Sequence, residues 1–561
     1  MKKFGLITLL VFLIFTCSLN SQSVVNSLHN LSVSGSGTVK ASSESEICIF
    51  CHTTHSTNPM GPLWNREDPG SSYILYNNSI SNTFQSAPGQ PDGASLLCLS
   101  CHDGTIALGN VLSRGSSIDF SGGYTTMSGV NSLTTDLSDD HPVSFIFNAA
   151  IATSDGQLSY PPSNPAKLDN NGKVQCTSCH DPHNSINQNF LLATTQFSEL
   201  CFSCHNRDYW TASSHQSSTA TWNSAGTNPW AHLENPYLSV AENACENCHD
   251  SHSASGKTRL MKSVLEENNC LDCHNGNVAA TNIETELSKV YRHNVYAYNQ
   301  IHSPLENADP NEVHVECEDC HNPHAVNNTA ANAPFANGFL NGVRGIDQGG
   351  NPVSNIQFEY ELCYRCHADN PVVTNTTARQ IVQFSVRLEF DVNNPSYHPV
   401  AGQGKNLNVP SLILPLSTSS IIYCTDCHAS NGTNVPAGPH GSIYPSILKY
   451  RYETADYTIE SYSNYELCYS CHNRTSILND VSFPFHDKHI RDLTTPCNAC
   501  HDPHGISISQ GNSTNNSYLI NFDINIVSAS GMNEIQFVDN GATKYCLLRC
   551  HGRGHGPGMN Y

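Results

Sequence analysis

The chain has 561 residues, a formal charge of −22, 38% hydrophobic and 13% charged residues, 25 cysteines and 29 histidines. So acidic a chain is not expected to bind nucleic acid, whose phosphates call for a basic partner; its charge is read as solubility and self-repulsion. A cysteine-rich exported chain ordinarily forms disulfides, unless other residues claim the thiols.

Residues 1–23 have the plan of a secretory signal peptide: Lys2 and Lys3, an apolar run from Phe4 to Phe15, then small polar residues. The run is too short to span a bilayer, and no later segment is long and apolar enough to do so. Cleavage near Ser21 or Ser23 removes Cys17. The rival reading makes Cys17 a lipidated residue, although Phe15 and Thr16 fit that processing signal poorly. The chain is therefore expected to be exported, with the extracellular or cell-surface location favoured and the periplasm as the alternative.

Beyond the signal, Cys-x-x-Cys-His occurs eleven times, and Cys-x-x-x-Cys-His occurs once at Cys546–His551. Random placement at this composition predicts about 0.06 such motifs. The cysteine pairs are Cys48 and Cys51, Cys98 and Cys101, Cys176 and Cys179, Cys201 and Cys204, Cys245 and Cys248, Cys270 and Cys273. They continue with Cys317 and Cys320, Cys363 and Cys366, Cys424 and Cys427, Cys468 and Cys471, Cys497 and Cys500, and Cys546 and Cys550. This is the attachment motif of c-type haem. Two thiols on one side of a single turn can each add to a haem vinyl group. The histidine that follows lies over the iron as its proximal ligand. Those histidines are His52, His102, His180, His205, His249, His274, His321, His367, His428, His472, His501 and His551. Structural zinc also uses Cys-x-x-Cys pairs, but it does not need histidine after every second cysteine. A redox dithiol would occur once. Twelve haem c groups are expected, at about 45 residues each, too few for an ordinary core around every one. The haems must then supply much of the apolar interior, and the apo-chain should not fold.

The motifs fall into six couples, which divide the chain into haem-pair units at 24–130, 131–225, 226–290, 291–385, 386–475 and 476–561. The first motif of a couple is usually followed by a histidine three residues on: His55, His183, His252, His324 and His504. The fifth couple lacks it, and His440 is the nearest substitute. Each couple also has a histidine upstream of its first motif: His29, His141, His232, His302, His398, and either His486 or His489 or both. These two sets could fill twelve distal axial positions, leaving His215, His293, His314 and His555 as spares. Methionine ligation, which raises the potential, is not indicated, because no methionine recurs with the motifs. A histidine three residues past a proximal ligand sits too close to cap that same iron, so it should reach a neighbour's.

The segments CIFCHTTH, SLLCLSCHDGTIALG, DDHPVSF, CTSCHDPHN and CNACHDPHG resemble the doubled-CXXCH multihaem cytochromes, a family that includes bacterial surface cytochromes forming electron-conducting filaments. The resemblance runs from about His29 to His551. It implies a loop-rich fold of short helices and a few small β-hairpins around an elongated chain of haems. In filament-forming relatives one distal histidine is lent by the adjoining subunit; by that resemblance His29 is the candidate here, in a head-to-tail polymer. β-rich stretches are expected at 381–390, 450–468 and 533–546. The expected function is electron transfer through bis-histidine haems to redox partner proteins or extracellular acceptors, with no catalytic residue and no membrane span. The alternative is a multihaem reductase of nitrite, hydroxylamine or a sulfur oxyanion, which would need one iron with an open face.

Overall fold

The computed structural model describes residues 24–558 apart from positions 56, 60, 62, 299, 304–313, 370–376 and 532–533; the signal segment and Cys17 lie outside the described residues. The chain divides into two compact units, Met1–Asn206 and Arg207–Tyr561. Motifs from Cys48 to Cys201 belong to the first and those from Cys245 to Cys546 to the second.

Regular structure is sparse and is built around the motifs. The longest helices each end in the second motif of a couple: α1 (Gly93–His102), α2 (Glu266–His274) and α3 (Glu359–His367). In α2 and α3 the first turn carries Glu266 and Glu267, and Glu359 and Glu361, which complement the positive end of the helix dipole. Several other motifs are a single 3₁₀ turn, as at Cys48–Phe50, Cys176–Ser178, Cys424–Asp426 and Cys497–Ala499. Within each turn the histidine N–H donates to the carbonyl of the first cysteine, His52 to Cys48 at 2.8 Å and His501 to Cys497 at 3.0 Å. That closure puts two thiols and one imidazole on a common side.

The largest sheet lies at the C-terminal end: β1 (Val527–Ser528), β2 (Gln536–Asp539), β3 (Lys544–Cys550) and β4 (Arg553–His555). Strand β3 pairs antiparallel with each of the other three. Of the three stretches expected to be β-rich, only 533–546 forms strands. Segment 381–390 instead carries a helical turn, Val386–Glu389, and is tied by its backbone, with Gln380 N–H donating to the Phe522 carbonyl at 2.8 Å. Segment 450–468 is broken by Tyr457 in the left-handed region (φ 62°), and by a turn in which the Ser461 side chain accepts from Asn464 N–H.

Buried apolar side chains form separate islands, most of them bordered by motif cysteines. Ala41, Ile49, Phe50, Leu108 and Phe120 pack beside Cys51 and Cys101. Tyr360, Tyr364, Ala368, Phe390 and Val400 pack beside Cys424, and Phe522, Val527, Phe537 and Leu548 beside Cys500, Cys546 and Cys550. Polar anchors hold the spaces between. Arg66, fully buried, donates to the carbonyls of Ser100, Ala107 and Leu108, so it fixes the end of α1 where its motif sits. Among the described residues no helix is long and apolar enough to cross a membrane.

Candidate haem-binding sites

Motif histidines stand opposite a second histidine at ring-centre separations between 6.1 and 6.5 Å. Two metal–nitrogen bonds of about 2.0 Å, each continued roughly 1.1 Å to a ring centre, separate two axial imidazoles by about 6.2 Å. Stacked rings in direct contact lie closer, as His29 on Phe190 at 4.2 Å, whereas the near-parallel rings of His249 and His324 stand 6.3 Å apart. The donor set and its spacing therefore fit a bis-histidine haem iron.

The partners obey two rules. The first motif of a couple faces a histidine that follows the first motif of the next couple: His52 faces His183, His249 faces His324, His321 faces His440 and His428 faces His504. The second motif faces a histidine upstream of its own couple: His102 faces His29, His205 faces His141, His274 faces His215, His367 faces His293 and His472 faces His398. In the sixth couple His501 faces His486 at 6.4 Å, and His489 faces His555 at 6.2 Å.

Three histidines stand elsewhere than expected. His29 is seated in its own chain, 6.2 Å from His102, rather than held out for a neighbouring subunit. His215, not His232, stands opposite His274; it comes from a short helix capped by Ser213, and His232 turns instead to the Glu246 carbonyl at 2.9 Å. His293, not His302, stands opposite His367, while His302 bonds Glu316 at 3.0 Å beside His314 and Asp319. His551 places its Nε2 2.9 Å from the Asp456 carboxylate. His180 is oriented by the Asn189 carbonyl at 2.7 Å; His55 and His252 are exposed.

Second partners orient the rings. Nδ1 of His102, His249, His321, His428 and His501 is held at 2.8–3.0 Å by the carbonyls of Asn131, Arg259, Phe339, Ser446 and Tyr518, which leaves Nε2 for a metal. Three of these acceptors, and the Asn189 carbonyl that orients His180, share a device. Asn189, Arg259, Ser446 and Tyr518, each with the residue after it, form two consecutive left-handed residues, all with φ between 51° and 62°. None is glycine, so each position carries strain of about 1–2 kcal/mol. The strained turn aims the carbonyl at the imidazole, and the residue two further on returns to bridge the motif, as Leu191 does to His180 and Ile520 to His501. Burial pushes His29, His274, His367, His428, His440 and His472 down to about 4, which keeps them in the neutral form that metal ligation requires. His504 is the exception. Burial lowers it, but the carboxylate of Glu389, 2.8 Å from Nδ1, outweighs that and raises it.

Successive sites touch in sequence order within each unit. The thiol of Cys98 meets that of Cys176, Cys270 meets Cys317, Cys363 meets Cys424 and Cys468 meets Cys497. Buried carboxylates clip these junctions. Glu266, at the start of α2, accepts from Glu318 N–H at 2.9 Å, and Glu359, at the start of α3, accepts from Thr425 N–H at 3.0 Å. Burial lifts these acids to about 8 and about 7. At the first junction Ser95 Oγ accepts from Cys176 N–H at 3.1 Å. Among the described residues only two groups gather three or more metal-ligand atoms within 4.8 Å, His302 with His314, Glu316 and Asp319, and Glu359 with Cys363 and Cys424. Neither is the cysteine-rich cluster of a zinc ribbon.

Repeated motifs and paired imidazoles fit a multihaem c-type cytochrome, a class of electron-transfer protein. The family model for the doubled CXXCH motif matches residues 170–209 and 417–476. The chain is similar to the multiheme cytochrome MtrA of Shewanella baltica (strain OS185), 24% identical over 304 residues that cover 47% of this chain and 69% of that protein.

Proposed function

We propose that the chain binds twelve haem c groups, each between two histidines, and passes single electrons along them in sequence order within each unit. The observation that carries this is the recurrent 6.1–6.5 Å separation of imidazoles whose Nδ1 atoms are engaged elsewhere. When bound, c-type haem supplies a one-electron Fe(III)/Fe(II) couple. The chain's own residues anchor, orient and insulate. Cysteine pairs fix each group to the backbone, and motif histidines hold one axial face. The opposing set, with His215 and His293 in place of His232 and His302, holds the other. The apolar islands and buried carboxylates limit solvent at the junctions. The repeating unit is the haem pair, six in all.

Export is supported by the signal-like residues 1–23, and an extracellular site of action is the reading most in keeping with a wire of this length. Filament assembly is a separable proposal. With His29 facing His102, the histidine offered for lending to another copy is His55. It is exposed, whereas His183, His324 and His504, which follow later first motifs, face the preceding couple.

The test is a haem and metal count on the mature protein, joined to spectroscopy of the ferric state. Twelve covalently bound haems per chain, all low-spin, are expected. A high-spin haem that binds nitrite would favour the reductase reading, and zinc in place of iron would overturn both. Negative-stain images of native material and of His55→Ala decide on the filament.

A further inference from the structure

The twelfth motif is folded unlike the others. Its cysteines lie on the extended strand β3, not on a helical turn. Alternation along a strand puts Cys546, Leu548 and Cys550 on one face. Strand β4 folds back on β3, with Cys550 opposite Arg553 and Leu548 opposite His555. Cross-strand partners share a face, so His555 lies on the side of both cysteines.

His551 and Gly552 are the two residues of the connecting hairpin turn, with φ of 47° and 75°. Two consecutive left-handed residues are the signature of the tight turn that matches strand twist. A histidine in that turn cannot follow its cysteine as it would on a helix. Its Nε2, the atom that the other motif histidines leave for iron, lies 2.9 and 3.0 Å from the two Asp456 oxygens. Tyr457 stacks on its ring at 4.8 Å, itself held in the left-handed region. His489, upstream of the sixth couple, holds Nδ1 against the Phe485 carbonyl at 2.7 Å and faces His555 at 6.2 Å with planes 31° apart. In the other five couples the corresponding upstream histidine faces the histidine of the motif itself.

We infer that the haem of Cys546 and Cys550 takes its axial ligands from His489 and His555, and that His551, which completes the motif, is withheld from iron by Asp456. The inference rests on the multihaem reading and changes the ligand assignment at one site. The pattern there is Cys-x-x-x-Cys-x-x-x-x-His, with Asp456 and Tyr457 as positioning residues.

The experiment uses the full chain, matured in a host with the haem-attachment machinery. Intact mass and haem content count the haems, and electron paramagnetic resonance with carbon monoxide binding reports spin state. His555→Gly is expected to keep the wild-type haem count while one haem becomes high-spin and binds carbon monoxide on reduction. Added imidazole should return that haem to low spin, which separates a lost ligand from a misfolded strand. His489→Gly should behave alike. His551→Gln should leave every attached haem low-spin, with or without loss of the twelfth attachment. The inference is overturned if His555→Gly stays wholly low-spin, or if His551→Gln gains a high-spin haem at full count. A wild-type protein without haem would instead overturn the multihaem reading.

Discussion

Arg66 offers a direct measure of how the polypeptide, apart from its cofactors, holds a motif in place. Its side chain is fully buried and spends its donors on three carbonyls: Nη1 to Leu108 at 2.9 Å, Nη2 to Ser100 and Ala107 at 3.1 Å each, and Nε to Ser100 at 3.3 Å. Ser100 lies between Cys98 and Cys101, so the guanidinium braces the turn that presents both thiols. Arg66→Met keeps the length and removes every donor. Each buried carbonyl left without a partner costs about 1–3 kcal/mol. Ala107 keeps a bond from Asn110 N–H at 3.0 Å, so the other two carbonyls set a lower bound of about 2 kcal/mol, and relief from burying a guanidinium keeps the total near that bound. Native-state hydrogen exchange on the mature protein reads this locally. Amides of α1 should exchange about 30-fold faster in the variant, the factor that corresponds to about 2 kcal/mol. Arg66→Lys should fall between, because one ammonium cannot span three carbonyls as a planar fork does. Exchange in α1 that stays within a few-fold of wild type in Arg66→Met would refute the bracing role.

Three further outcomes follow from the geometry. Imidazole planes are near parallel in His249–His324 (8°) and His321–His440 (16°), but near perpendicular in His141–His205 (87°) and His215–His274 (86°), so low-temperature electron paramagnetic resonance should resolve rhombic and highly axial low-spin classes together; one uniform class would contradict the ring orientations. Glu389→Gln removes an anionic acceptor from His504, and an ionised carboxylate there favours the ferric state. Losing a charge-assisted bond of about 1.5 kcal/mol should raise one midpoint potential by about 65 mV in spectroelectrochemistry, with the others unmoved. Finally, chain produced without haem attachment should lack protected amides, since the apolar islands are small and scattered; a cooperative unfolding transition in that material would show that the polypeptide carries its own core.

Much of the site was legible because its chemistry is written in contiguous residues. The twelve cysteine pairs need no tertiary information, and the argument that a histidine at +3 must serve a neighbour follows from reach alone; His183, His324 and His504 do face the preceding couple. The upstream ligands were less legible, because they depend on where a loop brings the chain back. His215 is positioned by the Pro323 carbonyl, which accepts from Nδ1 at 2.8 Å from more than a hundred residues away, and nothing local distinguishes it from His232. The orienting turns left a fainter mark. Asn189-Phe-Leu-Leu, Arg259-Leu-Met-Lys, Ser446-Ile-Leu-Lys and Tyr518-Leu-Ile-Asn each put apolar residues after the left-handed acceptor. Such runs resemble short strands, and their left-handed backbone is imposed by the motif they close on. The twelfth motif departs for a related reason: Tyr-Cys-Leu-Leu is an apolar run that suits a strand, and His-Gly is hairpin sequence.

The two partner rules together explain why order along the chain becomes order in space. On the proposed ligation, a second site in the first five couples takes a histidine from upstream of the same couple, so it closes within its own segment. The first sites of the first, third, fourth and fifth couples take theirs from the next couple, so they cannot close until that couple is present. Those couples are thereby complete only in company, as in a repeat protein whose units bury nothing alone. The thiol contacts and the clips from Glu266 and Glu359 repeat the same step from one couple to the next. Disturbance should therefore travel one step and stop. Replacing His324 removes the partner of His249 and loosens the third and fourth couples, while His428 and His504, which share no residue with them, keep their geometry. In the sixth couple the partners differ: His486 and His489, three residues apart in FHDKH, face His501 and His555.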